Sequence, residues 1–235
     1  QRGVGCLDCH RAHEATLRAE GDAVCTQCHN PAGNPEFPTL RPATYDDPSH
    51  HFHLQDGEGS RCVDCHMIER VYMGNDGRRD HSFRVPRPDL AADTGGPDAC
   101  TDCHADQTAA WAAAEVSARY PEGRHRRPHF GRTLAAGRLQ PFSAGPDLAA
   151  LALDRDQPGI VRATALSLME NAGRAELAAR TQDLIVDPDP VVRAAAIGAQ
   201  RSAPAQDRVL RRVPALSDPI LSVRIAAARA LLDAP

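Results

Sequence analysis

The chain has 235 residues, of which 27 are basic and 31 are acidic, and its formal net charge is −4. All the basic residues are arginine, and aromatic residues make up only 4% of the chain. This composition argues against a β-sandwich, whose strands favour β-branched and aromatic side chains. No apolar run approaches the ~20 residues that cross a bilayer, and no block of basic charge points to nucleic acid. We therefore expect neither a transmembrane segment nor a nucleic-acid partner.

All eight cysteines fall in four copies of one pentapeptide, C-x-x-C-H. In this pattern two thiols attach to the vinyl groups of one haem, and the adjacent histidine is placed to become the proximal iron ligand. A disulfide framework gives no reason for the histidine, and a thioredoxin-like motif would occur once beside a βαβ pattern, so zinc is the main alternative. The motifs predict four covalently bound haem c groups, attached at Cys6, Cys9, Cys25, Cys28, Cys62, Cys65, Cys100 and Cys103, with proximal ligands His10, His29, His66 and His104.

Seven histidines lie outside the motifs and are candidates for the opposite, distal side of each iron. The three methionines are poor alternatives, since Met67 directly follows a proximal histidine and Met169 lies in the distant half of the chain. Bis-histidine ligation of all four haems is therefore expected, the alternative for each histidine being an ordinary surface position. The predicted distal ligands are His13, His50, His53 and His81, with His51 and His129 as further candidates and His125 expected in a basic surface loop.

We expect three regions and a mostly α fold with much irregular structure. Residues 1–108 would form a tetrahaem domain, in which the porphyrins supply the apolar mass and several prolines mark extended backbone. Residues 109–145 would be a helical connector, with helices over 105–119 and 133–139. Trp111 is expected to anchor the first of these against the fourth motif. Residues 146–235 would form a short HEAT-like α-solenoid.

The solenoid is predicted from self-similarity with a period of 31 residues, since repeats of this length are typical of stacked helical hairpins. The first helices are expected over 177–184 and 209–216, and the second helices are expected to begin at the N-cap residues Asp189 and Asp218. We expect the recurring arginine to bind an aspartate of the neighbouring repeat, the alternative being a ladder that binds a partner. The aligned positions are Asp156, Asp187 and Asp218; Val161-Arg162, Val192-Arg193 and Val223-Arg224; and Ala165, Ala196 and Ala227.

Residues 62–67, 72–73, 78–90 and 99–106, with Trp111, resemble a family of bacterial multihaem c-type cytochromes with C-terminal HEAT or tetratricopeptide repeats. The likeness spans nearly the whole chain, and the stretch 78–90 is specific. The resemblance implies an electron carrier and places His13, His50, His53 and His81 at the family's recurrent histidine positions. Members often carry further haem motifs upstream, so the chain would be a compact four-haem form or a processed part of a longer cytochrome.

Covalent haem attachment takes place outside the cytoplasmic membrane, so we expect a periplasmic or extracellular protein whose exported precursor is cleaved before Gln1. The leading hypothesis for function is electron transfer between redox partner proteins through closely packed haems, without chemistry on a substrate. A haem reductase would need an iron with an open coordination site. One known way to provide such an iron is a lysine in place of the proximal histidine. The chain has no lysine, so this form of site is excluded.

A third hypothesis is that the chain is a subunit of a larger assembly, for example an extracellular cytochrome filament. Solenoids present extended binding surfaces, and the last repeat, ending at residues 231–235, shows no polar capping helix in its sequence. Self-assembly or a larger complex through the helical repeats would cover that end and is compatible with electron transfer.

Overall fold

The computed structural model describes residues 4–14, 16–123 and 128–232, and the chain divides into two compact units, Gln1–Arg126 and Arg127–Pro235. The described chain is mostly helical, with few and short strands, which confirms the predicted mostly α class. The division between the units falls within the predicted connector, 109–145. No helix in the described ranges is long and apolar enough to cross a membrane.

The first unit consists of short helices joined by irregular chain and two small antiparallel hairpins. In the hairpins β1 (His10–Arg11) pairs with β2 (Thr16–Leu17), and β3 (Glu69–Tyr72) pairs with β4 (Asp76–Arg79). The helices are α1 (Cys6–Cys9), α2 (Ala23–Thr26), α3 (Pro48–His51), α4 (Cys62–His66), α5 (Pro88–Thr94), α6 (Cys100–Cys103) and α7 (Ala109–Arg119).

Very little apolar side chain is buried in this first unit. Among its described residues the buried apolar side chains are Val24, Ala91 and Ala112, together with Pro88. Small domains already bury a low fraction of their surface, so this is too little to stabilise a fold of more than a hundred residues by itself. The unit therefore needs another source of apolar mass.

The second unit, by contrast, has a continuous apolar core between paired helices. Its fully buried side chains include Leu148, Leu166, Val192 and Val223, and small alanines let the helices approach closely. Helix α10 packs against α12, and α12 against α14. The α-helices are α8 (Phe130–Leu139), α9 (Pro141–Leu153), α10 (Gly159–Glu170), α11 (Ala175–Arg180), α12 (Pro190–Ala199), α13 (Ala205–Arg212) and α14 (Leu221–Leu231), and 3-10 turns cover Gln182–Val186, Gln200–Ser202 and Val213–Ser217.

Arginine–aspartate pairs join successive repeats, as predicted. Arg162 Nη2 donates to Asp187 Oδ2 at 2.7 Å, and Arg193 donates to both carboxylate oxygens of Asp218, at 2.8 and 3.0 Å. Burial alone would raise the pKa of Asp187, but hydrogen bonds from Arg162 and the Asp189 backbone outweigh it and lower that pKa. The hydrogen bonds from Arg193 likewise lower the pKa of Asp218.

Several helix boundaries differ from the sequence-based expectations. Asp189 caps α12 as predicted, its Oδ1 accepting from the Val191 backbone N–H at 2.9 Å, but α14 begins at Leu221 with Ile220 as its N-cap. Asp218 instead occupies the position of Asp187, two residues before the cap, where its carboxylate meets Arg193. The expected helices 177–184 and 209–216 are each a short α-helix followed by a 3-10 turn.

The two connector helices also begin at other residues than expected. Helix α7 starts at Ala109 rather than at 105, because the Thr108 hydroxyl accepts from the Trp111 backbone N–H at 3.1 Å and caps the helix there. Helix α8 starts at Phe130 rather than at 133, with His129 as its N-cap. Both ends follow the prediction, at residues 119 and 139.

Candidate functional site

The first, third and fourth C-x-x-C segments each form one turn of helix, in α1, α4 and α6, whereas the second begins at the end of α2 and continues as a hydrogen-bonded turn. Side chains three and four residues apart lie on the same face of a helix, so the two cysteines and the histidine of a motif face one side. The turn is closed by the histidine itself, since the backbone N–H groups of His29 and His104 donate to the Cys25 and Cys100 carbonyls, each at 2.9 Å. All eight cysteine thiols are free.

Polar contacts tie each motif to the next one along the chain. Gln27 Nε2 donates to the Asp8 carbonyl at 3.0 Å, joining the second motif to the first. Asp22 Oδ1 accepts from the Cys62 backbone N–H at 3.1 Å, joining the second to the third. Arg70, which follows the third motif, holds Asp102 of the fourth through two hydrogen bonds of 2.7 and 3.1 Å. The four motifs thus form one connected cluster.

Six of the eight cysteines of this cluster are partly buried, whereas Cys6 and Cys103 are exposed. Burial raises the pKa of Cys65, and it raises the pKa of Cys100 to about 11. The Cys62 thiol donates a hydrogen bond to the Cys25 sulfur of the preceding motif, and this contact is the main reason why the pKa of Cys62 is raised and that of Cys25 is lowered. The thiols of the second and third motifs therefore lie close together.

Three of the four motif histidines each face a second imidazole across the same distance. The ring centres of His10 and His81, of His66 and His50, and of His104 and His53 are all 6.2 Å apart. The planes of the His50 and His66 rings are nearly parallel, at 5°, and those of the other two pairs are inclined by 31° and 33°. In each pair one ring comes from a motif and the other from a predicted distal histidine.

This separation is the one expected for two imidazoles that bind one metal from opposite sides. A metal–imidazole nitrogen bond is about 2 Å long, and the ring centre lies about 1 Å further on, so opposed rings have centres about 6 Å apart. A haem iron takes one axial ligand on each side, whereas structural zinc takes four ligands. The paired rings and the free thiols beside them therefore fit haem c.

Hydrogen bonds at Nδ1 fix the tautomer of three of the paired rings. Nδ1 of His66 lies 2.8 Å from the Arg84 carbonyl oxygen, that of His81 lies 2.9 Å from the Arg79 carbonyl, and that of His53 lies 2.6 Å from the His51 carbonyl. A carbonyl oxygen only accepts, so these Nδ1 atoms carry the proton and Nε2 is left as a lone-pair ligand.

His50 carries its proton on Nδ1 as well, through a hydrogen bond with Tyr120, a residue that the sequence analysis did not single out. The Tyr120 hydroxyl donates to the His50 carbonyl, so its oxygen accepts from His50 Nδ1–H at 3.1 Å. Burial, and then the nearby His66, lower the pKa values of both His29 and His50, which favours the neutral ring that a metal requires. The clue in the sequence is weak, because Tyr120 lies 70 residues from His50.

His51 and His129 have the opposite hydrogen bond. Nδ1 of His51 faces the His53 backbone N–H at 3.2 Å, and Nδ1 of His129 accepts from the Gly131 backbone N–H at 3.0 Å. Since both Nδ1 atoms accept, the neutral rings carry their proton on Nε2 and have no lone pair there for a metal. His51 Nε2 is buried without a hydrogen-bond partner in the described structure.

The second motif differs from the others. His29 makes an edge-to-face contact with Tyr45 at 5.7 Å, and no second imidazole is in ring contact with it in the described ranges. His13 is exposed in the turn between β1 and β2. The structure therefore does not bring these two predicted ligands together, and His125 lies outside the described residues. Trp111 packs against His104 at 5.1 Å, as expected of an anchor on the fourth motif.

A family model described as a doubled CXXCH motif matches residues 1–34, which hold the first two motifs. No curated protein and no solved structure matches the chain. The family match and the repeated motif support a protein like the multihaem c-type cytochromes, with covalently bound haem c and a role in electron transfer.

Proposed function

We propose that the chain is a tetrahaem c-type cytochrome that relays electrons through four bis-histidine haems, in the periplasm or outside the cell. The observation that carries the proposal is the recurrence of one ring separation, 6.2 Å, at three motifs. When bound, each haem supplies an iron that changes between ferric and ferrous states.

The protein's own groups have three tasks in this proposal. The cysteines of each helical turn hold one haem edge, the motif histidine ligates one side of the iron, and a histidine from elsewhere ligates the other. The proposed pairs are His10 with His81, His66 with His50, and His104 with His53. His13 is assigned to His29 by elimination, as the remaining predicted distal histidine. With both axial positions filled, no substrate reaches an iron, which favours electron transfer to redox partner proteins over catalysis.

The first unit in this proposal is a haem-cored domain, and the second is a HEAT-like solenoid. Support comes from the contrast in apolar burial, since only three alanine or valine side chains are buried in the described part of the first unit. The stacking of α10, α12 and α14 at 31-residue intervals supports the solenoid.

A haem reductase is the second candidate, and the observation that favours it is at His29. Because no imidazole faces this ring in the described ranges, its iron is the one that would bind a substrate such as a nitrogen or sulfur oxyanion. The two candidates differ at this single coordination position.

The test is a carbon monoxide titration of the fully reduced holoprotein, together with a measurement of covalent haem by mass. Electron relay predicts four haems per chain and no carbon monoxide binding. In the variant His13→Ala, one haem in four should then bind carbon monoxide. A wild-type protein in which one haem already responds, unchanged by His13→Ala, would overturn the relay and support the reductase.

A further inference from the structure

The last repeat leaves exposed those positions that the preceding repeat uses to bind its neighbour. Ile185, Ala194 and Ile197 pack into one cluster with Ala215, Val223 and Ala227 of the next repeat. One period later the corresponding side chains are Leu216, Ile225 and Ala228. Leu216 and Ile225 are 41% and 44% exposed, and Ala228 is also exposed. We call these three side chains and Arg224 the terminal face.

Arg224 is held in the same way as its counterpart in the preceding repeat. Arg193 Nη1 donates to the Asp187 carbonyl at 2.8 Å and to the Pro188 carbonyl at 3.2 Å. Arg224 Nη1 donates to the Asp218 and Pro219 carbonyls at the same two distances, 2.8 and 3.2 Å. The guanidinium of Arg224 is therefore fixed before any partner binds.

The difference between the two arginines lies in the remaining donors. Nε and Nη2 of Arg193 bind both carboxylate oxygens of Asp218, and the two side chains are only 13% and 11% exposed. Arg224 makes no hydrogen bond to a carboxylate anywhere in the described ranges. A planar guanidinium matches a carboxylate through two parallel hydrogen bonds, so its free side is complementary to one aspartate.

We propose that the terminal face is an interface for a helical hairpin of the same repeat type, which brings an aspartate at the position of Asp218. The partner would also bring small or β-branched side chains at the positions of Ala215, Val223 and Ala227, because these pack against the equivalent residues one repeat earlier. The proposal concerns the second unit alone and does not depend on the proposed function.

The test uses the full-length holoprotein extended at its C-terminus by a second copy of residues 205–232. Ala234-Pro235 repeats Ala203-Pro204 in sequence, so this extension keeps the 31-residue register. Hydrogen exchange is then measured on the amides of α14 in the extended and the original protein. We expect exchange in α14 to slow by about an order of magnitude, because a new neighbour interface is added to the last repeat.

Matched variants show whether the terminal face is responsible. Arg224→Ala, or asparagine in place of the appended copy of Asp218, should each remove part of the protection, and the two changes together should remove no more than either alone. Ile225→Glu should remove it as well. Leu210→Glu is the control, since Leu210 is 65% exposed and its counterpart Ala179 stays exposed although a repeat follows it.

Unchanged exchange in α14, or protection that survives both Arg224→Ala and Ile225→Glu, would overturn the proposal. Protection of α14 that rises with the concentration of the unextended protein, and that both variants abolish, would support it and identify a second copy of the chain as the source of the hairpin.

Discussion

His51 and His53 differ in the hydrogen-bond partner of their Nδ1 atoms. His53 Nδ1 faces a carbonyl oxygen and His51 Nδ1 faces a backbone N–H, although the residues are two positions apart. The first arrangement leaves a lone pair on Nε2 and the second leaves a proton there. We infer that His53 is an iron ligand and His51 is not.

The variants His53→Ala and His51→Asn test this assignment. His53→Ala should turn one of the four low-spin haems high-spin and open it to carbon monoxide, because an axial ligand is lost. His51→Asn should leave all four low-spin, since an asparagine oxygen also accepts from the His53 backbone N–H. Electron paramagnetic resonance of the oxidised proteins measures the count, and a high-spin signal in His51→Asn would contradict the assignment.

The carboxylates of the arginine–aspartate pairs make the second unit sensitive to acid. The pKa values of Asp187 and Asp218 are lowered in the folded protein. Their stabilisation is therefore fully present above the unfolded carboxyl pKa of about 4 and is lost as the pH falls through the lower, folded pKa.

We expect the protection of amides in α10 and α12 to fall between about pH 4 and about pH 2. Hydrogen exchange, corrected for the pH dependence of the intrinsic rate, measures this. Asp218→Asn should be less stable at neutral pH and should lose less stability on acidification. An equal loss in the variant and the wild type would show that this pair does not contribute.

At the scale of elements, the 31-residue period was sufficient to predict the arginine–aspartate pairs. The start of α14 was predicted wrongly because Asp-Pro occurs twice in the second repeat, at 187–188 and 189–190, and once in the third, at 218–219. Only the second occurrence caps a helix. The identity of the dipeptide cannot distinguish the two roles, whereas its partner arginine can.

Close packing of α9 against α11 can be tested at a glycine. A Cβ added at Gly145 would lie 2.5 Å from Leu177 Cδ1, a contact that the buried leucine cannot easily relieve. Gly145→Ala should therefore destabilise the second unit by about 1–3 kcal/mol, the usual cost of overpacking.

Gly198→Ala in α12 is the matched control. Its added Cβ would meet only the end of the Glu170 side chain, at 3.0 Å, which can move. Alanine is favoured over glycine inside a helix by about 1 kcal/mol, so this variant should be neutral or slightly stabilised. Denaturant unfolding of the holoproteins compares the two, and equal effects would contradict the packing argument.

At the scale of the whole molecule, the two units differ in how much apolar side chain is buried inside each of them. The proposed proximal histidines can be assigned from the sequence, because each directly follows the second cysteine of its motif. The proposed pairing of distal histidines cannot, because it depends on the path of the chain. Phe52 has a left-handed backbone, with φ of 59°, and this turn directs His50 to His66 and His53 to His104.

Expression without haem attachment should unfold the first unit and leave the second unit folded. Residues 4–123 should exchange their amides as an unfolded chain does, since little apolar side chain is buried there, whereas α9 to α14 should remain protected. Hydrogen exchange of the haem-free and haem-loaded proteins makes the comparison. Protection of α4 to α7 in the haem-free protein would show that the first unit has a sufficient core of its own.

The arginine–aspartate pairs also have an evolutionary consequence. The repeat that holds Asp187 and Arg193 offers its aspartate to the repeat before it and its arginine to the repeat after it, so a second copy of this repeat would present matching surfaces to the first. An in-frame duplication or deletion of one whole repeat in the gene would therefore lengthen or shorten the second unit without creating an unmatched internal charge. Changes of any other length would break the pairing, so natural selection on such a gene should favour lengths that differ by complete repeats.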